Sequence, residues 1–302
     1  MNRVKQTIKV IVPQRILDWV RATRDLLGLA ALPKGRLDSH NLRTTESFSL
    51  ADIFMSKDIA AAWEKDHAAI KGLYGDEDKM EGVNPGDRRA LYYLIMALNP
   101  QNVLEVGTHI GASTLHIASA LKRLNQNGRM TSVDIVDVNH PEKGAWKELG
   151  LVKSPREFAR QLECVGRIDF HTGPCLDLMR RTRQRYDFIF LDGNHSARAV
   201  YQEVSAALSL LTPGGVILLH DYWPEGNALY PDDALILGPF YALERIRKEN
   251  VTIDVLPLGG LPWPTKKGKN VTSLALVAQP LACVRSLVQD KAWAASLGAI
   301  LL

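Results

Sequence analysis

Three cysteines, Cys164, Cys175 and Cys283, are all that this 302-residue chain contains, and none stands in a CxxC pair. So sparse and odd a set leaves nothing to build a disulfide framework and fits a reducing compartment, so the expected location is the cytoplasm. No stretch approaches the about 18 uninterrupted apolar residues of a membrane-spanning helix. An excess of one charge sign is missing too. Thirty-seven Lys and Arg face 33 Asp and Glu, a net charge of +4, too small to argue for a nucleic-acid partner. Internal repeats and low-complexity tracts are absent, and so is the GxGxxG signature of a dinucleotide site.

What charge there is lies at one end. Residues 1–43 hold nine Lys or Arg (Arg3, Lys5, Lys9, Arg15, Arg21, Arg24, Lys34, Arg36, Arg43) against Asp18, Asp25 and Asp38, which leaves the rest close to neutral. The segment has no compact apolar run ending in a small-residue cleavage site, so it is not read as a secretory signal. Within it, residues 14–31 place Ile16, Trp19, Val20, Leu26 and Leu27 on roughly one helical face. A basic amphipathic helix can lie on an anionic membrane, or pack on the main domain or on a second subunit. Peripheral contact with the inner face of the membrane through residues 1–36 and homo-oligomerisation are thus both open. Pro33, Gly35 and Ser39 mark a linker.

Residues 50–73 read as one helix with Ser49 as N-cap, and a second helix follows Asp87 and ends at Asn99-Pro100. From residue 102 the pattern alternates. Strands are expected at 103–106, 130–136, 167–171, 188–191 and 215–220, with helices at 113–124, 155–164, 176–182 and 197–211 between them. Alternation of this kind implies parallel strands joined by helical crossovers, an α/β doubly wound sheet. Two later strands, 253–258 and 273–278, lie too close for a helical crossover and are expected to pair antiparallel. The chain divides into a basic extension (1–45), a helical lead-in (46–100), the α/β domain (101–280) and a closing helix (281–302).

In such a sheet ligands sit at the carboxyl ends of the strands, and three candidate sites fall there. The first is Leu104-Glu105-Val106-Gly107-Thr108-His109-Ile110-Gly111-Ala112-Ser113-Thr114, a strand running through a glycine turn into a helix. Glycine allows close backbone approach to a ligand, and the helix start offers N–H groups to an anion. The second is Asp134, spaced after the glycine turn to accept the hydroxyls of a ribose, with Asp137 a competitor. The third joins Asp192-Gly193-Asn194-His195 to His220-Asp221-Tyr222. Two carboxylates, Asp192 and Asp221, converge beside imidazoles, which suits a hard divalent cation such as Mg²⁺ or catalysis by His195 as general base. The competing reading makes Asp192 a helix cap and His220 ordinary polar packing.

These segments resemble class I S-adenosylmethionine-dependent methyltransferases. Glu105 to Thr114 looks like their first motif. Phe190 to Ser196, Leu211-Thr212-Pro213-Gly214-Gly215-Val216 and His220-Asp221-Tyr222 are similar to the branch of small-molecule and sugar O-methyltransferases, with a catechol O-methyltransferase-like metal site. The resemblance covers about residues 86–280 and implies a seven-stranded, mostly parallel Rossmann-like sheet whose last strand is antiparallel. It places Glu105, Gly107 and Ser113, in the motif that includes Thr108 and Gly111, about the methionine end of S-adenosylmethionine, Asp134 at the ribose, and Cys175 in the adenine-contacting loop. Asp192, which also adjoins the cofactor, would bind Mg²⁺ or a similar divalent cation with His220 and Asp221. The family has a carboxylate followed by a carboxamide or carboxylate where this chain has His220-Asp221, so His220 stands as ligand, base or orienter. The family's lysine base is replaced by His195.

The expected reaction aligns an acceptor hydroxyl with the sulfonium methyl, and His195 or His220 takes the proton. The acceptor is a small molecule or sugar, walled by 222–239 and 259–264, where Trp223 and Trp263 either stack on a ring or are buried packing. A non-catalytic cofactor-binding scaffold and a metal-dependent hydroxylase-like enzyme on the same fold stay open; a dinucleotide oxidoreductase is disfavoured by the missing GxGxxG.

Overall fold

The computed structural model describes residues 13–34, 48–76, 79–124, 127–230, 235–249 and 253–278. The closing helix expected over 281–302 lies outside the described residues, as does most of the linker. The described elements begin with Gln14–Ala30 (α1), Leu50–Phe54 (α2), Lys57–Tyr74 (α3) and Pro85–Leu98 (α4). It then alternates through Asn102–Val106 (β1), Ala112–Arg123 (α5), Arg129–Asp134 (β2), Ala145–Glu148 (α6), Pro155–Gln161 (α7), Ile168–Thr172 (β3), Cys175–Arg181 (α8), Tyr186–Leu191 (β4), Ala197–Leu210 (α9), Leu211–Leu219 (β5), Gly238–Glu249 (α10), Asp254–Pro257 (β6) and Ala275–Ala278 (β7).

The seven strands form one sheet in the order β3-β2-β1-β4-β5-β7-β6. The first five are parallel, and β7 runs antiparallel to both β5 and β6. The strand order reverses between β1 and β4, so the carboxyl ends of these two strands flank the crevice where such sheets take ligands. The strands carry near-continuous apolar runs because both faces are covered. Val103, Phe188, Phe190, Val216, Leu218 and Leu276 face one core, shared with residues of α2–α7. Leu104, Val106, Ile189, Leu191, Ile217, Leu219 and Val277 alternate to the other, shared with α1, α8, α9 and α10.

Three local expectations change. The single helix expected over 50–73 is two, because Ser56 accepts from Ile59 N at 3.3 Å and starts α3 afresh. Strand β2 stops at Asp134 rather than 136, where the Asp134 carboxylate turns back to accept from Val136 N at 3.2 Å. A helix that the sequence reading did not assign, α10, begins at Gly238. Both expected wall tryptophans are packing. Trp223 is buried, and Trp263 packs against Phe54 and Tyr93 and donates from Nε1 to Gly86 O at 2.9 Å.

Candidate functional site

A cavity of about 750 Å³ opens at the carboxyl ends of β1, β2, β4 and β5. Its floor at one end is the turn after β1. Gly107 has φ +97°, and a Cβ there would lie 2.3 Å from the backbone oxygen of Asp192, so the turn passes against the end of β4 as only glycine allows. Asp134 lies on the wall. Its Oδ2 accepts from Thr108 N at 3.1 Å and His109 N at 2.9 Å, so the carboxylate braces the turn from the neighbouring strand. With Val136 N on Oδ1 as well, three of a carboxylate's about four lone-pair sites are taken, which leaves room for about one ligand hydroxyl.

Four of the residues expected at the cofactor line this cavity: Gly107, Asp134, Cys175 and Asp192. Glu105, Thr108, Gly111 and Ser113 do not. Glu105 lies beneath the turn, fully buried, where Oε1 accepts from Ser113 Oγ at 2.6 Å and Oε2 from Thr114 Oγ1 at 2.5 Å and Ser132 Oγ at 2.6 Å. Burial pushes its carboxyl up to about 7, against the pull of the three hydroxyls. Thr108 Oγ1 is 2.7 Å from Ser132 Oγ, and Gly111 is pressed against Pro155. These four hold the turn in shape from below.

Beside the turn, at the end of β4, stands Asp192, and beyond it on the β4–β5 side stand His195, His220 and Asp221, which the sequence placed together and the sheet brings together. Asp192 does not cap α9; Ser196 does, accepting from Ala199 N at 3.4 Å. His220 Nδ1 lies 2.9 Å from Asp192 Oδ1 and 3.4 Å from Asp221 Oδ1, yet this buried nitrogen has no aligned hydrogen-bond partner. His195 Nε2 is 3.5 Å from Asp221 Oδ2. Asp221 itself has φ +56°, a conformation that costs a non-glycine residue energy and that aims its carboxylate between the two histidines.

Sequence reasoning missed two residues here. Asp87, at the start of α4, sits 3.2 Å from His220 Nε2 through Oδ2 and is completely buried. Asn84 fixes it, donating from Nδ2 to Oδ2 at 2.6 Å while accepting from Asp87 N at 3.0 Å. With one imidazole nitrogen on Asp87, the other is turned to Asp192 and Asp221. Burial works against a charged ring, but Asp192 and Asp221 outweigh it and hold His220 well above the ordinary imidazole range. The second missed residue is Glu203 on α9. It lines the cavity, and its Oε1 accepts from Cys175 Sγ at 3.2 Å. Burial pushes the Glu203 carboxyl up to about 7; burial and the neighbouring Glu203 push the Cys175 thiol up to about 12. A signal for Glu203 exists: it is an acid on the apolar stripe Val200, Val204, Ala207, all buried.

Among the described residues no three His, Cys, Asp or Glu side chains form a preassembled metal cage. Two carboxylates converge on an imidazole nitrogen that lacks a hydrogen bond, and the far nitrogen is held by a buried carboxylate, the usual bracing of a metal-ligating histidine.

Residues 104–222 match the family described as Methyltransferase domain. The chain is 25% identical over 160 residues to the rhamnosyl O-methyltransferase of Mycobacterium leprae, covering 52% of this chain and 62% of that protein. It is 27% identical over 150 residues to caffeoyl-CoA O-methyltransferase 2 of Petunia hybrida, covering 48% and 55%. In each case less than two thirds of the relative is spanned. Among solved structures, an O-methyltransferase from Bacillus cereus in complex with SAH aligns over 76% of this chain and 94% of its own, with a TM-score of 0.49 and 21% identity.

Proposed function

We propose that residues 104–222, which match the family described as Methyltransferase domain, use S-adenosylmethionine, and that this protein methylates a hydroxyl of a sugar or other small molecule, with a divalent cation at Asp192, His220 and Asp221. One observation carries the reading. A single cavity has the braced glycine turn and Asp134 at one end and the pair His195–Asp221 at the other, so donor and acceptor would share one space.

S-adenosylmethionine supplies a methyl group on a sulfonium, already a good leaving group. The chain's work is alignment and proton removal. Asp134 accepts a ribose hydroxyl, and the turn at Gly107 lets the backbone approach the amino-acid end. Cys175 and Glu203 line the same cavity. His195 takes the acceptor's hydroxyl proton, and Asp221, 3.5 Å from its Nε2, steadies the imidazolium that results. As the acceptor O–H gives its proton to His195, the oxygen forms its bond to the methyl carbon and the bond from that carbon to sulfur breaks. A divalent cation held by Asp192, Asp221 and His220 Nδ1 would lower the hydroxyl's pKa and orient it. Asp87 keeps Nε2 engaged so that Nδ1 faces the carboxylates. The sugar reading draws support from the mycobacterial relative, whose name specifies a rhamnosyl acceptor.

Titration calorimetry with S-adenosylmethionine tests the site: wild type binds, Asp134→Ala loses binding, and Asp192→Ala keeps it. Methyl transfer is then followed as S-adenosylhomocysteine release over a panel of rhamnosyl, other sugar and catechol acceptors, with Mg²⁺ or Mn²⁺ present. A folded wild-type protein that binds no S-adenosylmethionine would sink the proposal. Release that is unchanged by chelators and by Asp221→Asn would remove the cation from it.

A further inference from the structure

Helix α1 turns its apolar side the wrong way for a packed helix. Asp25 and Leu29 are buried on one side, while Ile16, Trp19, Val20, Leu26 and Leu27 are exposed on the other, Trp19 at 68% and Leu27 at 67%. At 100° per residue the exposed set gathers into a stripe opposite Asp25 and Leu29. The outward pose is fixed by the body of the protein. Asp25 Oδ1 accepts from Ala197 N at 3.2 Å at the start of α9. Arg245 on α10 donates to Leu29 O, to Leu32 O at 2.9 Å and to Pro33 O at 3.0 Å. The helix is therefore clamped with an apolar stripe facing out, rimmed by Arg15 on one flank and Arg24 on the other. Residues 1–12, which lead into it, add Arg3, Lys5 and Lys9 and no acid.

We infer that α1 is a docking element for an anionic lipid surface. The stripe would enter the headgroup boundary with Trp19 at the level where its amphipathic ring is favoured, and the arginines would meet lipid phosphates. The charge decides against the other occupant of such a face, a second copy of this chain. Stripe on stripe would oppose two basic segments, each with nine cationic and three acidic residues over 1–43. The placement also gives the docking a consequence. Arg21, Arg24 and Asp25 form one wall of a cavity of about 370 Å³ whose other wall includes Asn194 and His195. Docking through α1 would hold that cavity on the far side of the helix, about 10 Å from the lipid surface, within reach of the headgroup of an amphiphilic acceptor.

The test is sedimentation of the full-length protein with vesicles of phosphatidylcholine alone or mixed with phosphatidylglycerol. Three proteins are compared: wild type, Trp19→Asp/Leu27→Asp and Arg15→Gln/Arg24→Gln. All substituted residues are exposed, and a circular dichroism melt reports an intact fold independently of the methyl-transfer reading. The expected result is binding to the anionic vesicles only, weakened by salt, abolished in the Asp variant and reduced about fivefold for each arginine replaced. Wild type that ignores anionic vesicles overturns the inference. So does vesicle binding that both variants retain. A concentration-dependent dimer, seen by light scattering without lipid and dispersed by Trp19→Asp/Leu27→Asp, would overturn it in favour of a second copy.

Discussion

At the glycine-turn end of the cavity the carboxylate oxygens have their donors: Asp134 holds Thr108, His109 and Val136 backbone N–H groups, and Glu105 beneath it holds three hydroxyls. At the histidine end the count fails. His220 Nδ1 faces two carboxylates without an aligned bond, Asp87 Oδ1 is buried with no partner, and Asp221 occupies a strained backbone conformation. One end is satisfied by the fold. The other holds uncompensated charge and strain. Buried polar groups left unpaired cost about 1–3 kcal/mol each, so an arrangement of this kind points to function rather than to stability.

The contrast is sharpened most by separating the two ends. Asp192→Asn or Asp221→Asn should lower turnover by about 10²- to 10⁴-fold while leaving S-adenosylmethionine affinity nearly unchanged, read by single-turnover kinetics beside calorimetry. An equal loss of cofactor binding would mean that the two ends are not independent. Gly107→Ala should act on the finished end. Its Cβ would meet Asp192 O at 2.3 Å in a left-handed conformation, so both backbone strain and overpacking apply, together about 2–4 kcal/mol in a urea melt, with S-adenosylmethionine binding lost. A variant that binds as wild type would show that the turn moves freely.

Asp87→Asn probes the orienting contact. If Asp87 holds the imidazole so that Nδ1 meets the cation, Mn²⁺ affinity measured by calorimetry should fall about 10- to 100-fold, with S-adenosylmethionine binding intact. The Asp87→Glu variant, which keeps the charge on a longer side chain, should recover part of it. Unchanged Mn²⁺ affinity in Asp87→Asn would leave the contact a packing feature.

These two ends were not equally legible in the sequence. The alternation of apolar runs and helix patterns after residue 102 specified the parallel sheet, and the close pair at 253–258 and 273–278 specified its antiparallel edge, because strand and crossover lengths leave few topologies. Gly107, Asp134, Asp192 and Asp221 were readable because each follows an apolar strand and must emerge at one sheet edge. Asp87 was not. It lies 133 residues before His220 and precedes the sheet altogether, and in Asn84-Pro85-Gly86-Asp87 it reads as an ordinary acidic first turn of a helix. Glu105 was readable as a carboxylate near the turn, but which side of the turn it faces depends on Ser113, Thr114 and Ser132, donors from two other elements. The break between α2 and α3 turns on one serine cap, too small a signal against a continuous apolar pattern.

The last expected effect concerns Glu203, where a finished contact meets the open cavity. Its carboxyl is pushed from the usual 4.5 up to about 7 in the folded protein by burial. Between those values the folded state binds more protons than the unfolded chain. The stability this group contributes is therefore full below about pH 4.5, declines as pH rises, and is gone above about pH 7. The loss is on the order of 3 kcal/mol at 1.36 kcal/mol per unit. Glu203→Gln keeps an oxygen to accept from Cys175 Sγ but carries no ionisable proton. Urea melts at pH 5 and pH 8 should show the variant gaining on wild type at the higher pH by about that amount. Glu105, raised for the same reason, stays in both proteins, so a residual decline should persist in the variant. Parallel pH dependence in the two proteins would mean that Glu203 is ionised in the folded state, its charge met by water or a cation in the cavity rather than by a proton.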